Sequence, residues 1–168
     1  RPWHRPDYLR AATFDTSGRH RYTLTRTWGT NPDTLVVIGL NPSTADAMQD
    51  DPTIRRCIDF ADQMGFGAYV MLNAHSFRAT DPKVMRANYH PADDVANDRA
   101  ILNELSWVPW AVCAWSDLVT PERAKAILAL FDQARCEPRV FGLTKRGNPR
   151  HPLYLSRDTR PVKWEVSP

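Results

Sequence analysis

Polar or aromatic residues that could carry chemistry stand directly after four apolar segments of the sequence. The segments are residues 35–40, 67–73, 108–115 and 139–143, and the residues that close or follow them are Asn41, Ser43, Asn73, Trp115 and His151. In open α/β sheets, ligands bind beyond the carboxyl ends of the strands. If the four segments are parallel strands, these side chains therefore meet at one rim of the sheet.

The residue types at this rim favour one reaction class. An amide or carboxylate can hold an attacking water, and a histidine can stabilise a leaving anion. The rim segments supply amides at Asn41 and Asn73, carboxylates at Asp46, Asp50 and Asp51, and an imidazole at His151. The sequence contains no phosphate-binding glycine loop, no GxSxG or HExxH motif and no metal-type cluster of His and Cys. We therefore expect hydrolysis of a glycosidic bond without a metal or other cofactor.

Composition limits the class of protein to a single globular domain, residues 1–168. Hydrophobic residues make up 42% and charged residues 24% of the chain, which excludes a disordered protein. The net charge of +3 permits a polyanionic partner, and residues 1–30 form a basic lead-in to a core over residues 35–156. Three cysteines without CxxC spacing and the absence of a long apolar stretch favour a soluble protein of the reducing cytoplasm.

Apolar runs that alternate with amphipathic segments predict the elements that position these residues. Helices are expected over residues 51–65, 93–105 and 121–135, because each begins with an acidic or proline start signal and shows helical spacing. The alternating residues 21–28 predict an N-terminal edge strand or hairpin. The expected fold is α/β, a three-layer α/β/α sandwich around a mainly parallel four-stranded sheet.

Short motifs in this order resemble those of the uracil-DNA glycosylase superfamily. Residues 39–43 (GLNPS) resemble its first motif, residues 71–73 (MLN) its base-reading strand end, and residues 151–156 (HPLYLS) its H-P-x-x-L-S loop. Residues 112–115 look like its apolar strand that ends in Trp. The longer strings GLNPSTADAMQDDPTIRR and GLTKRGNPRHPLYL are more specifically similar to a family of short bacterial and phage proteins of unknown function.

The superfamily resemblance implies a DNA glycosylase that acts as a monomer, flips a pyrimidine out of DNA and leaves an abasic site. Asn41 would orient the water, His151 would donate to O2 of the leaving pyrimidine, and Asn73 would read the base edge. The other residues implied in substrate binding are Leu40, Pro42, Ser43, Phe77 and Trp115. Those implied in DNA binding are Arg78, Lys145, Arg146, Arg150 and Arg157, together with Leu155, which would enter the duplex.

Departures from the superfamily pattern leave several alternatives open. Ser43 stands where the uracil enzymes carry a Tyr that excludes C5 substituents, so the expected substrates include C5-modified pyrimidines such as 5-hydroxymethyluracil. The base-stacking aromatic could be Phe77, Trp115 or Tyr89. The acidic stretch could supply the general base, although one of Asp50 and Asp51 is expected to cap the following helix. Hydrolysis of free nucleosides or nucleotides, and non-catalytic binding of a modified base, remain alternative functions.

Overall fold

The computed structural model describes residues 1–43, 45–153 and 155–166, and in these residues the strands form one mixed sheet of seven. The strands are β1 (Leu9–Phe14), β2 (Arg21–Thr27), β3 (Thr34–Gly39), β4 (Ala68–Asn73), β5 (Trp110–Cys113), β6 (Glu137–Val140) and β7 (Val162–Lys163). Their order across the sheet is β1-β2-β4-β3-β5-β6-β7. The pairs β4-β3, β3-β5 and β5-β6 are parallel, whereas the strands at both edges pair antiparallel.

Four α-helices occur in the described part of the chain, and sequence signals explain where they start. They are α1 (Pro52–Gln63), α2 (Pro82–Ala87), α3 (Asp94–Leu105) and α4 (Pro121–Ala134). Three of them begin with Pro after a capping side chain, as in α4, where Thr120 accepts a hydrogen bond from the backbone N–H of Arg123. No helix in these residues has the length and apolarity needed to span a bilayer.

The helices pack on opposite faces of the sheet because the central strands are apolar on both sides. Leu35 and Val37 of β3 belong to one core cluster, together with residues of α1. The alternate residues Val36 and Ile38 belong to a second cluster, with residues of α3 and α4. A strand that is covered on both faces requires such a continuous apolar run.

The predicted α/β class is confirmed, but the sheet has seven strands and is larger than the predicted four-stranded sheet. The four predicted core strands are present, and three further strands extend the sheet. Of the two possibilities for residues 21–28, the hairpin is correct, because β1 forms the edge and β2 lies between β1 and β4. The basic residues of the lead-in, residues 1–30, do not all lie on the surface, since Arg21 and Arg26 are buried. Helix α2 and the two-residue β7 were not predicted, because such short elements carry little periodic signal.

Candidate functional site

A cavity of about 480 Å³ lies at the carboxyl ends of β3, β4 and β5, within the size range of small-molecule sites. Of the residues predicted from the sequence, seven line it: Leu40, Asn41, Ser43, Asp51, Asn73, Trp115 and His151. The loops after the parallel strands therefore bring together the side chains that the sequence placed at one rim. Among the described residues, no three His, Cys, Asp or Glu side chains are grouped as metal ligands.

Asn73, the last residue of β4, presents a buried amide to the cavity. It is 1% exposed, and neither Nδ2 nor Oδ1 has a hydrogen-bond partner among the described residues. An unsatisfied buried polar group costs about 1–3 kcal/mol. The amide also lies close to β3, since a Cβ built on its register partner Gly39 would lie 3.0 Å from Asn73 Oδ1. A ligand that offers one donor and one acceptor would satisfy both atoms of this amide.

Asn41 lies at the cavity wall with its side-chain orientation held by the neighbouring loop. Its Nδ2 donates to the backbone oxygen of Ala79 at 2.8 Å and to that of Pro42 at 3.1 Å. These contacts are also typical of an asparagine that stabilises a turn after a strand. They occupy the nitrogen, so Oδ1 is the atom of Asn41 that can accept a hydrogen bond from a water or substrate.

Two adjacent carboxylates, Asp50 and Asp51, have different environments. Asp50 lies outside the cavity in a buried ion pair, where its side chain is 4% exposed and Oδ1 accepts from Nε of Arg26 at 2.7 Å. Its Oδ2 accepts from the hydroxyl of Tyr8 at 3.2 Å. The prediction of a catalytic Asp50 is therefore not supported. Asp46 is also structural, since its Oδ1 accepts from the backbone N–H groups of residues 48 and 49, which lower its pKa.

Asp51 is the acidic residue of this stretch that lines the cavity. It is the N-cap of α1, and its Oδ1 accepts from the backbone N–H of Ile54 at 2.9 Å. Only this one bond to the side chain is present within the described residues, so Oδ2 is available to a water. The cap also fixes the rotamer of Asp51, which holds the carboxylate in one orientation.

His151 adds a neutral imidazole to the polar lining. Its Nδ1 accepts a hydrogen bond from the backbone N–H of Leu153 at 3.2 Å, so the proton of the neutral ring lies on Nε2. Burial lowers the pKa of His151 below its usual value, although the nearby charge of Asp51 partly opposes this shift. At neutral pH the ring is therefore an Nε2–H donor.

Arg21 is a buried residue of the cavity wall that the sequence analysis missed. It is 2% exposed, and Nη1 donates to the backbone oxygen of Ala45 at 2.7 Å. Burial lowers its pKa to about 10, so it remains charged at neutral pH. The N-terminal hairpin places Arg21 at the cavity wall. The alternating sequence of this strand does not reveal that Arg21 is buried. The other lining residues that were not predicted are Thr53, Ile54, Met71, Ala79, Thr80, Pro82, Ser116, Leu118 and Leu153.

Residues 21–153 match the model of a family described as a protein of unknown function, DUF1643. The chain belongs to the DUF1643 family. Neither curated proteins nor solved structures give a significant match. The DUF1643 region begins at Arg21 and ends at Leu153, so it contains every residue that lines the cavity.

Several predicted substrate and DNA contacts of this DUF1643 protein lie away from the cavity. Phe77 packs edge-on against His20, with 5.5 Å between ring centroids, and Arg78 donates to the backbone oxygen of Gly18. Pro42 is buried and does not line the cavity. The other stacking candidate, Tyr89, packs against His75, so Trp115 is the stacking candidate that lines the cavity within the described residues.

Leu155 also differs from its predicted role. It is 6% exposed and belongs to the core cluster beneath α1, so it is not positioned to enter a DNA duplex. To reach DNA, Leu155 would have to leave the core, which would cost the free energy that its burial contributes. Thr44 and Tyr154, which stand within the two long sequence strings quoted above, lie outside the described residues.

The four other predicted DNA-binding cations are exposed. Lys145, Arg146 and Arg150 lie on the loop after β6, and Arg157 lies further along the chain. The loop is fastened to the cavity wall, because the backbone N–H of Ser116 donates to the oxygen of Pro149 at 2.7 Å. The side chains of residues 144 and 148 also donate to the Asp117 carboxylate. The DUF1643 cavity therefore has a cationic loop at its side.

Proposed function

We propose that this DUF1643 protein is a monofunctional DNA glycosylase. It flips a pyrimidine, uracil or a C5-modified base such as 5-hydroxymethyluracil, and hydrolyses the N-glycosidic bond to leave an abasic site. The observation that carries the proposal is the unsatisfied amide of Asn73 in a cavity that also contains Asn41, Asp51 and His151. An amide of this kind matches the donor and acceptor on the edge of a pyrimidine.

Membership of the uracil-DNA glycosylase superfamily is part of this proposal. The order of the motifs supports it, as do four adjacent parallel strands, β4-β3-β5-β6, with helices on both faces. On this interpretation the hairpin β1-β2 and the strand β7 are additions to a three-layer α/β/α core. We also propose that the enzyme acts as a monomer in the cytoplasm, where its three buried cysteines stay reduced.

In the proposed reaction, the polar groups of the cavity have separate roles. Asp51 Oδ2 or Asn41 Oδ1 holds the water that attacks C1′ of the sugar. The sugar becomes cationic as its bond to the base breaks, and the base departs as an anion. The Nε2–H of His151 donates to O2 of this anion, a role that its neutral tautomer permits. No metal or cofactor is required for this reaction.

The lining around Ser43 supports a C5-modified substrate. Its hydroxyl donates to Oγ1 of Thr80 at 3.4 Å, and both residues line the cavity. Two small hydroxyl side chains leave room for a substituent and can form hydrogen bonds with it. Trp115, which is 1% exposed, is the proposed contact for the face of the base.

Hydrolysis of a free nucleoside or nucleotide is a second candidate function. The burial of Leu155 favours it, because the protein then lacks the proposed wedge that keeps DNA open. The exposed loop with Lys145 and Arg146 favours DNA instead. Salt dependence separates the two, since only binding to a long polyanion releases many counterions.

The test is alkaline cleavage of labelled oligonucleotides that contain uracil, 5-hydroxymethyluracil, thymine or 5-hydroxymethylcytosine, in single and double strands and with a chelator. We expect cleavage at a uracil-type base, its loss in Asn41→Ala and a slower rate in His151→Ala. Lys145→Ala should weaken DNA binding at low salt, whereas Lys125→Ala, which removes an exposed cation from α4, serves as the matched control. No cleavage by the folded protein would overturn the proposal and favour nucleotide hydrolysis or a binding module.

A further inference from the structure

Arg21 is a buried cation that forms no close ion pair with a described residue, although the charge of Asp51 acts on it from a longer distance. The described residues contain three buried arginines, and two of them are paired: Arg26 lies 2.7 Å from Asp50 and Arg123 lies 2.7 Å from Asp98. Arg21 has no carboxylate within 4.0 Å among the described residues, and its Nε has no hydrogen-bond partner. Burying a charge is costly unless it is paired. Because Arg21 has no close ion pair and an unpartnered Nε at the cavity wall, its guanidinium can donate to a ligand.

The sheet register places Arg21 beside Asn73. Leu24 of β2 pairs with Met71 of β4 in antiparallel register, so Arg21 lies against the carboxyl end of β4. The backbone N–H of Arg21 donates to the oxygen of Ser76 at 2.9 Å, which continues this pairing beyond the strand. Both Arg21 and Asn73 line the cavity, and both carry unpartnered polar atoms. The wall therefore combines a fixed positive charge with a donor–acceptor pair.

We propose that Arg21 is a catalytic residue that selects and stabilises 2,4-dioxopyrimidines, the uracil class of bases. This inference rests on the proposed function, and it adds the class of base and a residue outside the motifs that suggested the function. The Arg21 guanidinium donates to a carbonyl oxygen of the base, while Asn73 contacts the adjacent imide edge. Positive charge at this position stabilises negative charge that develops on the base.

The proposed step uses one water molecule, the polar groups of the cavity and one proton from solvent. The oxygen of water forms a bond to C1′, and one water proton passes to the Asp51 carboxylate. The C1′–N1 bond breaks, and its electron pair stays with the base, where it is delocalised over N1 and the two carbonyl oxygens. Arg21 and the Nε2–H of His151 stabilise this anion until it takes up a proton from solvent.

The same charge disfavours 4-aminopyrimidines such as cytosine. Cytosine is a poorer leaving group than uracil as an anion, and its departure is helped when the ring is first protonated. A fixed guanidinium beside the base opposes that protonation by like-charge repulsion. We therefore expect 5-hydroxymethyluracil to be excised and 5-hydroxymethylcytosine, which carries the same C5 group, to be left in place.

The experiment measures single-turnover excision of uracil and of 5-fluorouracil, a better leaving group, by wild type, Arg21→Gln and Arg21→Lys. We expect Arg21→Gln to lose roughly 10²–10³-fold on uracil, as for loss of one transition-state donor. The loss should be clearly smaller on 5-fluorouracil, and Arg21→Lys should retain part of the rate. Equal losses on the two bases would mean that Arg21 has a structural role, and efficient wild-type excision of 5-hydroxymethylcytosine would overturn the substrate class.

Thermal unfolding provides the control for folding. Because Arg21 lacks an ionic partner, Arg21→Gln should melt close to or above the wild type, whereas Arg26→Gln, which breaks a buried pair, should melt well below it. If the wild type excises no base, the proposed function fails and calorimetric binding of free uracil and cytosine tests the subsite itself. Uracil binding that Arg21→Gln weakens would support the subsite, and binding of neither base, or of both equally, would overturn it.

Discussion

Substituting the adjacent residues Asp50 and Asp51 by Asn should give opposite results. Each substitution removes one negative charge and keeps the shape of the side chain. Asp50 forms the buried pair with Arg26, whose guanidinium also donates to backbone oxygens of Ala11, Thr25 and residues 46 and 49. Asp51 instead caps α1 and faces the cavity. We expect Asp50→Asn to destabilise the fold and Asp51→Asn to reduce catalysis.

The structure sets the size of each effect. Arg26 and Asp50 have side chains that are 0% and 4% exposed, so loss of the carboxylate leaves a buried cation unpaired. Breaking a buried pair costs about 3–5 kcal/mol, which lowers the Tm of a domain of this size by roughly 6–20 °C. Asn is as good an N-cap as Asp, so Asp51→Asn should lose less than about 1 kcal/mol. Loss of a general base should lower the excision rate by roughly 10²–10⁴-fold.

The measurement combines urea unfolding of both variants with single-turnover excision per folded molecule. Asp50→Asn should keep a rate close to that of the wild type at a temperature where it is folded. If Asp51→Asn excises at the wild-type rate, Asp51 does not hold the water and Asn41 becomes the water-holding group. If Asp50→Asn is as stable as the wild type, breaking the buried pair with Arg26 does not cost the expected free energy of about 3–5 kcal/mol.

Three further predictions follow from burial and close packing. The pKa of His75 falls from 6.5 to about 4 because the ring is buried, so the unfolded chain binds more protons and stability falls as pH drops below 6.5. Between pH 7 and 5 this effect lowers the free energy of unfolding by about 2 kcal/mol. Urea unfolding of His75→Phe should therefore show a smaller decrease in stability over this pH range than the wild type. Leu155→Ala should lower stability by about 2–5 kcal/mol without changing DNA affinity, and a fall in affinity at unchanged Tm would contradict its place in the core. Gly39→Ala places a Cβ 2.5 Å from Met71 Cε and 3.0 Å from Asn73 Oδ1, so we expect a higher KM for excision, and an unchanged KM would show that the Asn73 amide is not needed for binding.

The residues of the cavity could be predicted from the sequence where they follow apolar strands. Asn73 ends such a strand, Asn41 follows one closely and His151 lies on the loop after another, and parallel strands bring their carboxyl ends to one edge. Arg21 could not be predicted in this way, because it comes from an antiparallel strand that joins the sheet through long-range pairing. In an alternating strand, a buried arginine looks the same as an exposed one until the partner strands are known.

The sequence by itself determined the α/β class, the positions of the central strands and three of the helices. These features depend on local signals, namely apolar runs, proline starts and capping residues, and a local signal is readable without knowledge of contacts. Only the tertiary structure decided that β2 lies inside the sheet, that Leu155 belongs to the core and that Asp50 and Asp51 face different surroundings. Burial and pairing are properties of residues that are distant in sequence, so two adjacent aspartates with the same local pattern can differ completely in environment.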